Sequence, residues 1–533
     1  VQTRSVGAVG LVLIAGLFVA LCHVWLVSAG YWAHWPMYSD RYDRLATAFA
    51  AGQTHLTIAP DPAMLALANP YDPVANEVYR KQPGVHDACL YNGKLYYYWG
   101  PTPGLMLVPA KLLLGNRVTI ADQHLCFTFA MGLVAVTGLM LLRLRVAFYS
   151  SSPVWLPALG VLLTGLSTPI TCIMTRAAVY EAAILGGQFF LLAGIYLAWR
   201  AISGFSAGAD VAADSTFVNR RSHRALLLAG VCLANAVGSR VSLAVTVTAI
   251  GLVIVGVIVW RYRHQPRQCL KALAFFGLPL VVSAVGLCVY NAVRFDHPLQ
   301  FGQKYQLGGA DLLALPGLFG IDNLWPNLWS YFVRPIAGLD HFPFLIAVQG
   351  FEQFPAFIRI PPGYEIYEPI SGLPRVMPVL VVIPLAAILG SRALSIARTP
   401  APGTATKADD GGRALRTPVI LLLLAAVLGF APVLLMIGSS QRYLADFTPP
   451  LVIVAIVAVW HLTDVRRVSA RSARRLLTSF TCLAAITLGI GVLISIDGYG
   501  AHFRLKNARL YESLGGQIEP ESENTTDITH AKH

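Results

Sequence analysis

Long apolar segments recur along almost the whole chain, and no other feature restricts its fold as strongly. They run at roughly 6–30, 120–142, 153–174, 178–199, 224–238, 241–260, 272–293, 376–395, 418–437, 448–462 and 476–496. About 18 or more predominantly apolar residues, wound as a helix, are enough to cross a bilayer core. In lipid no backbone amide can stay unpaired, so spanning segments must be helices or a closed barrel. Continuous apolar runs, rather than short alternating ones, decide for helices. The sequence therefore predicts an all-α polytopic membrane protein with about eleven transmembrane helices. Composition agrees: 56% of the 533 residues are hydrophobic and 13% charged, against about 25% charged in a soluble domain.

The first run follows a cationic start, as in a secretory signal. It is long for a signal core and lacks a clear cleavage site, so it is expected to remain as a first helix, 1–30. Seven of the eight cysteines fall in or beside apolar runs and only Cys89 lies in a long polar loop, which leaves no disulfide framework or zinc spacing.

A net charge of +13 is compatible with nucleic-acid binding, but the basic residues lie in the wrong places for it. With a cytoplasmic N-terminus, the connections predicted to be cytoplasmic hold Arg143 and Arg145, then Arg200, Arg220, Arg221 and Arg224, then Arg261, Arg263, Arg267 and Lys271. Two later ones hold Arg392, Arg398, Lys407, Arg413 and Arg416, and Arg466, Arg467, Arg471, Arg474 and Arg475. The short outer connections hold one Arg each, which is the positive-inside pattern. No nucleic-acid partner is expected. The reading divides the chain into a first extracytoplasmic loop at 31–119, helices two to seven at 120–293 and a second loop at 294–375. Helices eight to eleven follow at 376–497, and an extracytoplasmic tail at 498–533.

No cytoplasmic segment is large enough for a nucleotide-binding domain, and neither a Walker motif nor a Gly-rich dinucleotide loop is present. The stretch Pro400 to Gly412 reads as a flexible connector. Chemistry is thus expected in the membrane or on the outer face. The absence of a convincing internal repeat argues against an inverted-repeat transporter. In the second outer loop Trp325, Pro326, Trp329, Tyr331 and Phe332 suit a helix in the headgroup layer.

The first outer loop opens with Tyr38-Ser39-Asp40-Arg41-Tyr42-Asp43-Arg44. An acid this close to the membrane can act as base toward an acceptor hydroxyl or help hold a metal. Equally, Asp40 and Asp43 can cap a helix Arg41–Ala51 and pair with Arg41 and Arg44. Further on, Asp87, with Asp43 a candidate catalytic acid in support of Asp40, precedes a Tyr-rich stretch in which Asn92-Gly93 signals a hairpin. The aromatic walls suit either a sugar or an interfacial belt. His34, His55 and His86 have no metal-ligand spacing.

Arg176, Arg240 and Arg442 stand alone between apolar runs at predicted outer ends, with Glu181 close after Arg176 and Tyr443 beside Arg442. Arginine grips phosphate through its planar fork, so a lipid phosphate is the expected ligand. Snorkelling, or pairing with Glu181 or Asp446, is the structural alternative. Lys304 is a further phosphate candidate.

Three elements resemble the bacterial GT-C-fold membrane glycosyltransferases, the class that includes protein O-mannosyltransferases and lipid A aminoarabinose transferases. They are the acid Asp40, two residues ahead of Tyr-Asp-Arg-Leu-Ala-Thr-Ala-Phe, the proline-bearing loop end Tyr96 to Gly115, and Arg442-Tyr443 before Pro449-Pro450. The resemblance implies inverting transfer from a polyprenyl-phosphate sugar to an acceptor hydroxyl on the outer face of a bacterial inner membrane. It also implies Asp40 as base, or as the acid that organises a divalent metal. Unlike the family pattern, Asp40 and Asp43 are separated by Arg-Tyr, which leaves the base and any metal open. A flippase or other transporter of lipid-linked sugars, and a ligase moving a whole glycan, are the alternatives.

Overall fold

The computed structural model describes residues 2–207, 215–315, 317–396, 405–464, 468–498 and 502–518. The helices in chain order are α1 (Gln2–Val27), α2 (Arg41–Ala50), α3 (Pro62–Leu65), α4 (Glu77–Arg80), α5 (Thr102–Leu114), α6 (Asp122–Phe148) and α7 (Leu156–Leu166). Next come α8 (Ile170–Thr175), α9 (Val179–Ala207), α10 (Ser215–Ser239), α11 (Ala244–Arg261), α12 (Pro266–Phe295) and α13 (Leu324–Phe332). The last are α14 (Leu373–Val376), α15 (Val382–Ile396), α16 (Ala405–Leu435), α17 (Thr448–Leu462), α18 (Ala470–Ile496), α19 (His502–Lys506) and α20 (Ala508–Ser513).

Seven helices among the described residues are long and apolar enough to cross a membrane: α1, α6, α9, α11, α12, α16 and α18. Apolar helical stretches in α5, α7, α15 and α17 are shorter. α9 packs against α10 and α6, α10 against α12, α1 against α7, and α16 against α17. α17 is the most enclosed of these, with Ile453, Ala455 and Ile456 fully buried.

The span expected over 153–174 is broken. Pro169 lacks an N–H and disfavours a helical residue before it, so α7 stops at Leu166 and α8 starts at Ile170. The break is where α18 comes closest: a Cβ on Gly491 would sit 2.6 Å from the Leu166 carbonyl oxygen. The Thr171 hydroxyl also donates to the Gly491 carbonyl at 2.7 Å. The connector expected at Pro400 to Gly412 is helical from Ala405, where Ala and Lys extend the apolar helix behind it. Residues 397–404, with Arg398, and Arg466 and Arg467 lie outside the described residues.

The little sheet lies outside the long helices, in segments 89–96, 336–347, 365–366 and 438–439. β1 (Cys89–Tyr91) and β2 (Lys94–Tyr96) form the expected hairpin, with Tyr91 opposite Lys94. Asn92 and Gly93 take φ of 47° and 70°, as a type I′ turn requires. β3 (Ile336–Gly338) pairs with β4 (Leu345–Ala347), and β5 (Glu365–Ile366) with β6 (Gly438–Ser439). The last pair ties the second outer loop to the chain just before Arg442. The aromatic helix α13 docks on the end of α16, where Asn327 donates to the Leu434 and Met436 carbonyls at 2.9 and 2.7 Å. Trp325 stays 67% exposed.

Candidate functional site

The first turn of α2 is capped from a distance. Asp122, at the start of α6, accepts from the Arg41 and Tyr42 backbone N–H groups at 3.0 Å each, and from the Ser39 hydroxyl. A carboxylate facing open N–H groups at a helix start is favourable, and here it comes from another helix. Asp40 occupies the cap position without capping. Its carboxylate instead receives a two-point grip from Arg44, Nε to Oδ1 and Nη2 to Oδ2, both at 2.8 Å. Arg41 reaches the Tyr97 hydroxyl at 3.3 Å rather than an acid. Asp43 points the other way, to Lys111 on α5 at 2.6 Å and the Ile120 N–H at 2.9 Å.

The hairpin carries Asp87 and the tyrosines inward. Asp87, with φ of 64°, accepts from the Gln306 amide at 2.6 Å. Gln306 also approaches the Tyr180 hydroxyl at 3.4 Å, and Tyr98 donates to that hydroxyl at 2.7 Å. Trp99 stands edge-on to Tyr180, ring centres 5.2 Å apart.

Tyr180 leads to a four-membered ion cluster. Arg176 ends α8, Glu181 lies in the first turn of α9, Glu368 follows β5, and Arg442 lies in the 3-10 turn Gln441–Asp446 after β6. Arg442 Nη1 is 3.2 Å from Glu181 Oε1 and also bonds Glu368 Oε1. Arg176 Nη1 faces the same two oxygens, at 3.8 and 3.3 Å. The four atoms form a square of alternating charge in which every edge is attractive. The Ser440 hydroxyl donates to the other Glu368 oxygen. Arg442 lies over the Tyr180 ring at 4.7 Å and the Tyr443 ring at 5.5 Å. The two glutamates and Arg442 are nearly sealed, whereas the Arg176 side chain is 25% exposed.

Arg240 sits in the break between α10 and α11 and pairs at 2.6 Å with Asp446, whose backbone carbonyl accepts from Gln188 at 2.9 Å. Lys304 is apart from this group, exposed, with its ammonium 4.9 Å from the Tyr305 ring centre. Of the residues singled out from sequence, Arg176, Glu181, Arg240, Arg442 and Tyr443 are thus brought together. Asp87 joins them through Gln306 and Tyr180, while Asp40 and Asp43 hold the loop beside α6.

A small cavity of about 20 Å³ lies against the square. Ile494 and Gly498 at the end of α18 form one side of it. Beyond them α19 and α20 fold back on the end of α1. Asn507 donates to the Ala29 carbonyl at 2.7 Å, Tyr31 to the Lys506 carbonyl at 3.0 Å, and Phe503 meets Trp25 at 4.9 Å. His502 packs on Tyr38 at 5.1 Å. Burial first, then the nearby Arg176 and Lys506 charges, push its imidazole down to about 4.

Sequence reading missed Glu368, Asp122 and His502. Glu368 has only the Pro361-Pro362 and Pro369 that bracket its loop as a signal, and Asp122 reads as an ordinary acid at a helix start. No group of three or more His, Cys, Asp or Glu among the described residues could hold a metal ion.

The fold and site thus define a polytopic α-helical membrane protein with a buried ion cluster beside the two long loops, 31–119 and 294–375. No known protein-family model matches the chain, and no curated protein sequence matches it. Its structure is similar to the Archaeoglobus fulgidus oligosaccharyltransferase tethered with an acceptor peptide containing the NVT sequon, at 14% identity and a TM-score of 0.46. The match covers 95% of this chain but 56% of that one. The same archaeal enzyme in complex with an inhibitory peptide and a dolichol-phosphate gives 13% identity and a TM-score of 0.45, over 95% of this chain and 56% of that one. The S. cerevisiae protein O-mannosyltransferase Pmt1-Pmt2 complex bound to the sugar donor gives 13% identity and a TM-score of 0.46, covering 96% of this chain and 93% of that one.

Proposed function

We propose that this protein is a membrane glycosyltransferase that moves a sugar from a polyprenyl-phosphate donor to an acceptor hydroxyl on the extracytoplasmic face, with inversion. The observation that carries the reading is the square of Arg176, Glu181, Glu368 and Arg442. Charged groups from distant parts of the sequence gather at helix ends under the two long loops, where a lipid headgroup and a soluble acceptor can meet. A flippase needs charged groups along the crossing path, whereas this ion cluster gathers at one set of helix ends. The basic connections support an outer position for that end, with the N-terminus in the cytoplasm of a bacterial cell.

In this scheme Asp40 takes the proton of the acceptor hydroxyl. Its carboxylate is 18% exposed and aimed by Arg44, and Asp122 frees it from capping. The acceptor oxygen attacks the anomeric carbon from the face opposite the phosphate. The carbon–oxygen bond to phosphate breaks, and its electron pair leaves on the phosphate oxygen. Arg176, the partly exposed and loosely held member of the square, meets that growing charge. Arg442 and Arg240 hold the site's shape through their carboxylate partners, and Lys304 stays apart from it. Asp43 is structural.

The test is transfer of radiolabelled sugar from polyprenyl-phosphate donors in membranes holding matched amounts of wild type, Asp40→Asn or Asp87→Asn. Loss of a general base lowers the rate roughly 10²–10⁴-fold, and that loss is expected for Asp40→Asn alone. Undiminished transfer by Asp40→Asn, with loss in Asp87→Asn, would move the base to Asp87.

A further inference from the structure

We propose that the start of α18, at the far end of that helix from the ion square, is a binding site for an anionic phospholipid. The inference does not depend on the glycosyltransferase reading. α18 carries Arg471, Arg474 and Arg475 in its first two turns and contains no Asp or Glu. All three arginines are exposed, and none has an ion pair or hydrogen bond among the described residues. With Thr478 and Ser479 they line an open hollow of about 680 Å³, within the roughly 300–1,000 Å³ of small-molecule sites. The two hydroxyls are likewise exposed and without a hydrogen bond among the described residues. The backbone start of the helix is closed by Ser469, which accepts from the Ser472 N–H at 3.2 Å, so the open capacity lies in the side chains. Forked guanidinium donors beside hydroxyls suit a phosphate.

The course of the helix says which phosphate. At about 1.5 Å per residue, Arg475 to Ile496 spans roughly 32 Å, close to the thickness of a hydrocarbon core of about 30 Å. With Ile496 at one boundary the arginines stand at headgroup level at the other. With about 3.6 residues per turn, Arg471, Arg475, Thr478, Cys482, Ala485 and Gly489 run down one side of α18, and all are exposed. Ala473, Phe480, Ala484 and Thr487 take the opposite side and are buried. Beyond the hydroxyls the open side carries small side chains, and a Cβ added at Gly489 would meet nothing within 4 Å. A phosphate gripped by the arginines thus has a shallow apolar channel running away from it along the helix, which a soluble anion leaves bare and an acyl chain covers. A zwitterionic headgroup brings a cation that the three arginines repel, so the lipid is one whose phosphate carries uncompensated charge.

The experiment is native mass spectrometry of the full chain in detergent, with equal amounts of phosphatidylglycerol and phosphatidylcholine of identical acyl chains. Retention of phosphatidylglycerol roughly tenfold over phosphatidylcholine is expected. Arg474→Gln should weaken phosphatidylglycerol about fivefold, and Arg471→Gln/Arg474→Gln/Arg475→Gln should bring it down to the level of phosphatidylcholine. Arg263→Gln/Arg267→Gln/Lys271→Gln removes the same charge from exposed positions between α11 and α12 and at the start of α12, and should leave binding unchanged. If the α18 variants fail to fold, a diazirine-bearing phosphatidylglycerol on the wild type should label the peptide that holds residues 470–489. Equal retention of the two lipids, equal loss in the two triple variants, or labelling confined to other helices would overturn the inference. Displacement of the lipid by inorganic phosphate at constant ionic strength would overturn it too, by making the hollow a site for a free anion.

Discussion

The Lys111 ammonium lies 2.6 Å from the Asp43 carboxylate, and the two side chains are 3% and 9% exposed. The pair clamps α2 to α5, two helices of the long loop between α1 and α6 that pack on each other. Lys111 also donates to the Val118 carbonyl at 2.8 Å, and Asp43 receives the Ile120 N–H. The ions are thus the centre of a small network joining three stretches of the loop.

Breaking such a pair from one side leaves a lone buried charge and costs about 3–5 kcal/mol. Lys111→Met should therefore lower the melting temperature in detergent sharply, and Asp43→Leu/Lys111→Met should recover much of the loss. A single variant as stable as wild type would show that the pair is not buried in the protein.

Removing the remote cap at Asp122 should loosen the start of α2. Asp122→Ala is expected to cost about 2 kcal/mol and to make the first outer loop more sensitive to protease. Because Asp40 sits at that helix start, transfer should fall as well. Unchanged loop cleavage would remove Asp122 from its capping role.

Within the square the two arginines should differ. Arg442→Met strips both glutamates of their closest cation and is expected to cost about 3–5 kcal/mol. Arg176→Met removes a longer, part-exposed contact, so stability should change little while transfer falls about 10²–10³-fold. Melting curves and transfer rates on both variants check this. The reverse ranking in stability would refute the division of labour.

The docking of α19 should depend on pH. The imidazole of His502 is held at about 4 in the folded chain against an ordinary 6.5. Below pH about 6.5 the undocked segment takes a proton that the docked one refuses. The contribution is therefore whole above that pH and drains away as pH falls toward about 4. Fluorescence of Trp25, which packs on Phe503, should report the loss, and His502→Gln should flatten the change.

Much of the helical scaffold was legible because lipid imposes a length and a polarity that single sequences display openly. The Asn92-Gly93 hairpin was legible for the same kind of reason, a local backbone demand met by two residues. The site was only half legible. Arg176, Arg240 and Arg442 stood out as lone charges among apolar residues, but their partners are set by how distant loops fold. Glu368 reaches Arg442 only because β5 pairs with β6. Asp122 caps α2 only because α6 starts beside it. Asp446 neutralises Arg240 and leaves its sequence neighbour Arg442 to Glu181 and Glu368. Pairings across folded loops leave no spacing to read.

The fold-back of Phe503, Asn507 and Leu510 onto Trp25, Ala29 and Gly30 joins the first span to the segment that follows the last one. During synthesis, then, a chain extended only as far as α17 already holds all four corners of the square but lacks the wall formed by Ile494 and Gly498. The pocket closes only when α18 is in place and α19 and α20 latch onto the end of α1. An unfinished polypeptide in the membrane would carry the charges without the enclosure that makes them useful.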